Sequence, residues 1–98
     1  MNIEIKRNDK ELTVALFGRL DATTAPTLEN TIAENISDTE KLTLDFNGVE
    51  YISSAGLRVV LNAQKKMQQI GKMTVINVTQ EVMDIFEMTG FVDILSIE

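Results

Sequence analysis

Between Thr23 and Ile97 the spacing of apolar residues switches repeatedly between a period of two and a helical period, and this alternation restricts the fold more than any other property of the chain. Leu42, Leu44 and Phe46 alternate with Lys41, Thr43 and Asp45, the mark of a strand buried on one face that ends near Asn47-Gly48. On one side of it, Thr23-Thr24-Ala25-Pro26 supplies a capping residue and a first-turn proline, and Leu28, Ile32 and Ile36 follow at helical spacing. On the other, Ser53 and Ser54 precede the longest helix, whose stripe Leu57, Val60, Leu61, Gln64 and Met67 is broken only by Gln64 and stops at Gly71. Met73 to Val78 then reads as a strand. Thr79 caps a third helix carrying Val82, Ile85 and Phe86, and Gly90 ends it before a last strand, Phe91 to Ile97. Ahead of all this, Ile3 and Ile5, the turn Asn8-Asp9-Lys10 and the run Leu12 to Phe17 form a hairpin.

A strand, helix, strand, helix order requires right-handed crossovers, so the chain is an α/β protein with an N-terminal hairpin and a mostly parallel sheet of about five strands. Lys41, Thr43 and Asp45 on the second face of the third strand place the helices mainly on one side of that sheet, since a doubly covered sheet is apolar on both faces. Strand order then steps in one direction. Alternation is weak in Thr13 to Phe17, which leaves a second apolar face there partly covered or exposed. A chain of 98 residues holds one such domain, taken as residues 1–98, with no linker or repeat.

Composition removes whole classes of function. Without cysteine or histidine there are no disulfides, thiolate or imidazole metal sites, or Ser-His-Asp triads, so the chain is read as no enzyme, with no metal and no cofactor. A net charge of −6 with five aromatics argues against nucleic acid and anionic membranes as partners. The longest apolar runs are a few residues, and Met1 to Lys6 lacks a secretion signal, which points to the cytoplasm.

In a parallel sheet, the strand-to-helix loops emerge at the carboxyl edge. That brings Asp21 and Thr23, Ser53 and Ser54, and Asn77 and Thr79 to one end of the molecule. A sheet that never reverses direction has no crevice there, so this end is read as a surface for another protein. On residue chemistry alone, Ser54 and Thr79 are first of all helix caps and Asp21 a turn carboxylate. Gly56 in the first turn of the long helix costs about 1 kcal/mol against Ala, so something approaches the backbone there or the glycine is simply tolerated.

Three segments resemble a known family. Asp45-Phe46-Asn47-Gly48-Val49-Glu50-Tyr51-Ile52-Ser53-Ser54-Ala55-Gly56-Leu57 resembles the signature of the anti-sigma factor antagonists, which are single STAS domains. Gly18-Arg19-Leu20-Asp21 and Phe86-Glu87-Met88-Thr89-Gly90-Phe91 are similar to two further stretches of that family. The resemblance implies a partner-switching cycle. The unmodified protein binds an anti-sigma factor, usually a serine kinase of the ATPase type, and frees a sigma factor; phosphorylation ends the complex, and a serine phosphatase is a further implied partner. By position in the motif Ser54 is the phosphoacceptor, with Asp21 beside it. Ser53, where many members have Asp, is a second hydroxyl and the second choice. The partner surface it implies comprises Asp21, Thr23, Ser53, Ser54, Ala55, Gly56, Arg58 and Thr79. Arg58 stands where the family often has glycine, and either contacts the phosphate or belongs to the partner surface. The alternative is a STAS subunit held permanently in a lipid-transport or signalling assembly, with Ser54 only capping.

Overall fold

The computed structural model describes every residue from Met1 to Glu98. The expected hairpin is formed by β1 (Asn2–Asn8) and β2 (Glu11–Leu20), closed at the Asn8–Glu11 pair, with Asp9 at a left-handed φ of 57°. There follow α1 (Ala25–Asn35), β3 (Lys41–Ile52), α2 (Ser54–Ile70), β4 (Lys72–Ile76), α3 (Gln80–Thr89) and a short 3-10 turn (Phe91–Asp93). The sheet has four strands in the order β1-β2-β3-β4, antiparallel in the hairpin and parallel thereafter. The one-directional order inferred from the sequence is therefore the observed one.

One face of the sheet is covered. Leu12, Val14 and Leu16 of β2, Leu42, Leu44 and Phe46 of β3, and Met73 and Val75 of β4 all lie in a single core with Leu28 and Ile32 of α1, Val60 and Met67 of α2, and Val82 and Phe86 of α3. Phe86 meets Phe46 with ring centroids 6.1 Å apart, which puts α3 on the same side as the other helices. On the opposite face Thr13, Ala15, Thr43 and Asp45 are half-buried and Phe17 is exposed. The weak alternation of β2 thus comes from small residues on an open face. Gln64, the polar break in the α2 stripe, is buried with its Oε1 unpaired.

Two departures from the sequence reading concern strands. β3 does not end at Asn47-Gly48 but continues to Ile52. Its pairing with β2 slips twice, between Ala15 and Phe17 and between Gly18 and Arg19, and each slip places an additional residue on β3. Each extra residue exchanges inside for outside. Burial accordingly follows Leu42, Leu44, Phe46, then Val49, then Ile52, a sequence that no single period describes. Gly48 makes the first slip possible: a Cβ there would lie 2.9 Å from the Leu16 carbonyl oxygen and 3.0 Å from the Phe17 Cα.

The predicted fifth strand, Phe91 to Ile97, is mostly not a strand. Phe91 stacks on Phe86 at 6.2 Å, the chain turns, Leu95 is buried, and only Ile97 reaches β4, in an isolated parallel bridge to Val75. The apolar side chains of this segment are used to close the end of the core, which competes with extension along the short edge of β4.

Candidate functional site

β2 and β3 run side by side to Leu20 and Ile52, and the Ser53 N–H donates to the Leu20 carbonyl at 2.9 Å. Asp21 and Ser54 are thus each one residue beyond the bond that ties the two strand ends together. The strand ends are held close by Gly56. A Cβ at that position would lie 2.7 Å from Leu20 Cγ, 2.9 Å from Ile52 Cγ1 and 2.9 Å from the Leu20 carbonyl oxygen. The close approach inferred from Gly56 therefore comes from the protein's own core. Gly56 is itself buried, unlike its exposed neighbours Ser54 and Arg58.

The two serines divide their duties. Ser53, half-buried with extended backbone, is the N-cap of α2, and its Oγ accepts from the Gly56 N–H at 3.4 Å. Ser54, expected as the cap, is instead the first helical residue; it is exposed and its hydroxyl makes no hydrogen bond within the protein. The first bond that closes the helix runs from the Leu57 N–H to the Ser53 carbonyl at 2.9 Å. The Ser54 and Ala55 N–H groups precede it and sit at the positive end of the helix dipole. Arg58 is exposed and four residues on from Ser54, so it shares the same side of the helix.

Asp21 is bound more tightly than a turn carboxylate need be. Its Oδ1 accepts from the Thr23 N–H at 3.0 Å, the Thr23 hydroxyl at 2.7 Å, the Thr24 N–H at 3.2 Å and the Thr24 hydroxyl at 3.3 Å. Led by the Thr23 hydroxyl, these donors hold the Asp21 carboxyl below the usual carboxylate range despite partial desolvation. The carboxylate serves the two residues ahead of α1 and does not reach the helix, while Thr24 occupies the α1 N-cap without a side-chain bond to it, so neither threonine caps the helix as the sequence suggested. Arg19 Nε lies 3.8 Å from Asp21 Oδ2, and its guanidinium sits 4.4 Å from the centre of the exposed Tyr51 ring. Arg19 and Tyr51 stand in the recognised motifs but were not singled out. Their signal lay in parallel pairing, which sets Arg19 opposite Tyr51 only after the second slip.

The β4 loop is set back from this cluster. Because β4 stops at Ile76, opposite Asp45, the Asn77 side chain donates to Asp45 at 3.1 Å, seven residues short of Ile52 along β3. Thr79 caps α3, accepting from the Val82 N–H at 3.4 Å, while its hydroxyl donates to the Val49 carbonyl at 3.1 Å. Asp21, Thr23, Ser53, Ser54, Ala55 and Arg58 are brought together; Asn77 is not, and Thr79 is occupied as a cap below them. The more enclosed surface depression lies elsewhere, between α1 and α2 around Glu29, Val59 and Lys66. No helix is long and apolar enough to cross a membrane.

Comparison with known proteins matches this geometry to a family. BtrV of Bordetella bronchiseptica, named as an anti-sigma factor antagonist, is 32% identical over 99 residues, covering 99% of this chain and 85% of BtrV. The anti-sigma-B factor antagonist of Bacillus subtilis is 26% identical over 98 residues, covering 99% of this chain and 90% of that protein. Among solved structures, an anti-sigma factor antagonist from Mycobacterium paratuberculosis superposes with a TM-score of 0.89 at 23% identity, over 98% of this chain and 83% of that one. SpoIIAA of Bacillus in its phosphorylated form superposes with a TM-score of 0.78 at 16% identity, over 99% and 91% of the two chains. The family described as the STAS domain matches residues 2–98, and the chain belongs to it, in the company of the anti-sigma factor antagonists.

Proposed function

We propose that this protein is an anti-sigma factor antagonist that acts in the cytoplasm as a binding protein. In its unmodified form it binds an anti-sigma factor with serine kinase activity and so releases a sigma factor. Transfer of a phosphoryl group to Ser54 ends the complex, and a serine phosphatase restores it. In the transfer the Ser54 Oγ bonds to the γ-phosphorus of ATP, ADP leaves, and the hydroxyl proton passes to a base on the kinase.

The observation that carries this reading is the free, exposed hydroxyl of Ser54 beside a serine that does the capping. An acceptor must leave its own hydrogen bonds and enter another protein's active site, and Ser54 has none to leave. Ser53 would have to give up its bond to Gly56. A phosphate on Ser54 adds about −1.5 to −2 charges. Unpaired N–H groups at the helix start favour that charge within the protein, while Asp21, ionised across the physiological range, makes the surrounding surface more negative still. A partner that fits the neutral serine then meets a large, hydrated dianion.

The test is incubation of the purified protein with a cognate anti-sigma kinase and ATP, followed by intact-mass measurement. One phosphate is expected on the wild type and on Ser53→Ala, and none on Ser54→Ala. Labelling that persists in Ser54→Ala sinks the assignment. As a control, Ser53→Ala loses about 1 kcal/mol of stability in urea unfolding as its cap is removed.

A further inference from the structure

The outer edge of β1 is open along the whole strand, whereas β2 is paired on both sides, β4 carries the Ile97 bridge, and β3 is free on its β4 side only beyond Asp45, where the Thr79 hydroxyl donates to the Val49 carbonyl. Such an edge is a template for another strand, and proteins usually blunt it with charge. Here the charges are arranged otherwise. Along Asn2-Ile3-Glu4-Ile5-Lys6-Arg7-Asn8 the residues are symmetric about Ile5: Glu4 and Lys6 flank it, Ile3 and Arg7 lie beyond, and Asn2 and Asn8 end the strand.

We propose that this edge pairs with a second copy of the same chain, in an antiparallel dimer whose two-fold axis passes beside Ile5. Strand alternation supports the register. The hairpin closes at Asn8–Glu11, so Asn8, Lys6, Glu4 and Asn2 direct their backbone groups toward β2, and Arg7, Ile5 and Ile3 direct theirs outward. Pairing centred on Ile5 therefore uses the residues whose N–H and C=O are free. It also places Glu4 of each copy opposite Lys6 of the other at the closer, non-hydrogen-bonded positions, giving two symmetric ion pairs.

The faces agree as well. Glu4 and Lys6 pair with Ala15 and Thr13, so their side chains lie on the open, polar face. Ile5 pairs with the buried Val14 and so belongs to the core face, yet it remains 45% exposed. In the dimer the two Ile5 side chains meet and extend the core across the junction. The sheet becomes eight-stranded, and because the two β2 strands then run in opposite directions, the Ser54 ends face away from each other and both stay free. An interface of one strand pair is small, so the dimer is weak and depends on concentration.

Sedimentation velocity of the full chain, over a series reaching about 1 mM, tests this. A monomer–dimer equilibrium is expected. Glu4→Lys alone, or Lys6→Glu alone, sets like charges opposite each other twice and is expected to raise the dissociation constant about tenfold or more. The double variant Glu4→Lys with Lys6→Glu restores opposite signs and is expected to return it to near the wild-type value. A chain that stays monomeric throughout the series, or a dimer indifferent to the single reversals, overturns the proposal. Failure of the double variant to restore association, with its circular dichroism unchanged, overturns it too. None of this depends on the role of Ser54.

Discussion

Asp21 holds a charge that its neighbours have made hard to neutralise. Two N–H groups and two hydroxyls converge on one oxygen, and each favours the ionised form. Because the folded value lies below the unfolded one, the contribution to stability is complete above about pH 3.9 and is lost as the pH falls through the lower, folded value. The stability difference between wild type and Asp21→Asn is therefore expected to be constant near neutrality and to shrink only below about pH 4, as followed by urea unfolding at stepped pH. A difference that peaked at acid pH would contradict the depressed value. The neighbouring serines show how residues of one type part ways by a single position. Ser53 has extended backbone and a side chain turned to the helix; Ser54 has already entered the helix and faces solvent.

At the scale of elements, β3 and α2 meet at Gly56, and the expected outcome of Gly56→Ala follows from the distances there. Helix propensity alone would favour alanine by about 1 kcal/mol. The added methyl, however, would press on Leu20 and on the backbone oxygen of the same residue, and overpacking of this kind costs about 1–3 kcal/mol. Net destabilisation is predicted, measurable as a lower urea midpoint with unchanged slope; a stabilised variant would show that the strand ends can separate freely. The elements themselves were largely legible. α1, α2, α3 and the hairpin follow from apolar spacing, caps and glycine stops, because each of those signals is local. What could not be read was set by pairing between distant strands. Asn47-Gly48 has the composition of a turn, and only the register against Phe17 makes it a bulge. Phe91 to Ile97 has the composition of a strand, and only Phe86 beneath it shows why it turns. At the strand ends, the motif singled out Ser54 and Asp21, which the structure brings together, but the exchange of capping between Ser53 and Ser54 turned on one residue of helix boundary, the least legible quantity in any sequence.

For the whole molecule, a sheet covered on one face, with its parallel strands in chain order, brings the strand-to-helix loops that carry the candidate residues to one end. Ser54→Asp places a charge on an exposed hydroxyl position outside the core, and so is expected to leave far-ultraviolet circular dichroism unchanged while weakening binding of the proposed anti-sigma partner, as titration calorimetry would measure. Equal affinity for both forms would mean that the partner docks elsewhere. The stagger of the strands has one more consequence. β3 outruns β4 by seven residues, from Asp45 to Ile52, so the end of the molecule is a step: Ser54 and Asp21 stand on its raised side, and Thr79 and Asn77 on the lower one. A broad partner descending on that end touches the raised side first. If the proposed partner docks on this end, a change of charge at Ser54 is met in the encounter, before the lower tread has made any contact, and it would act on how often complexes begin as well as on how long they last.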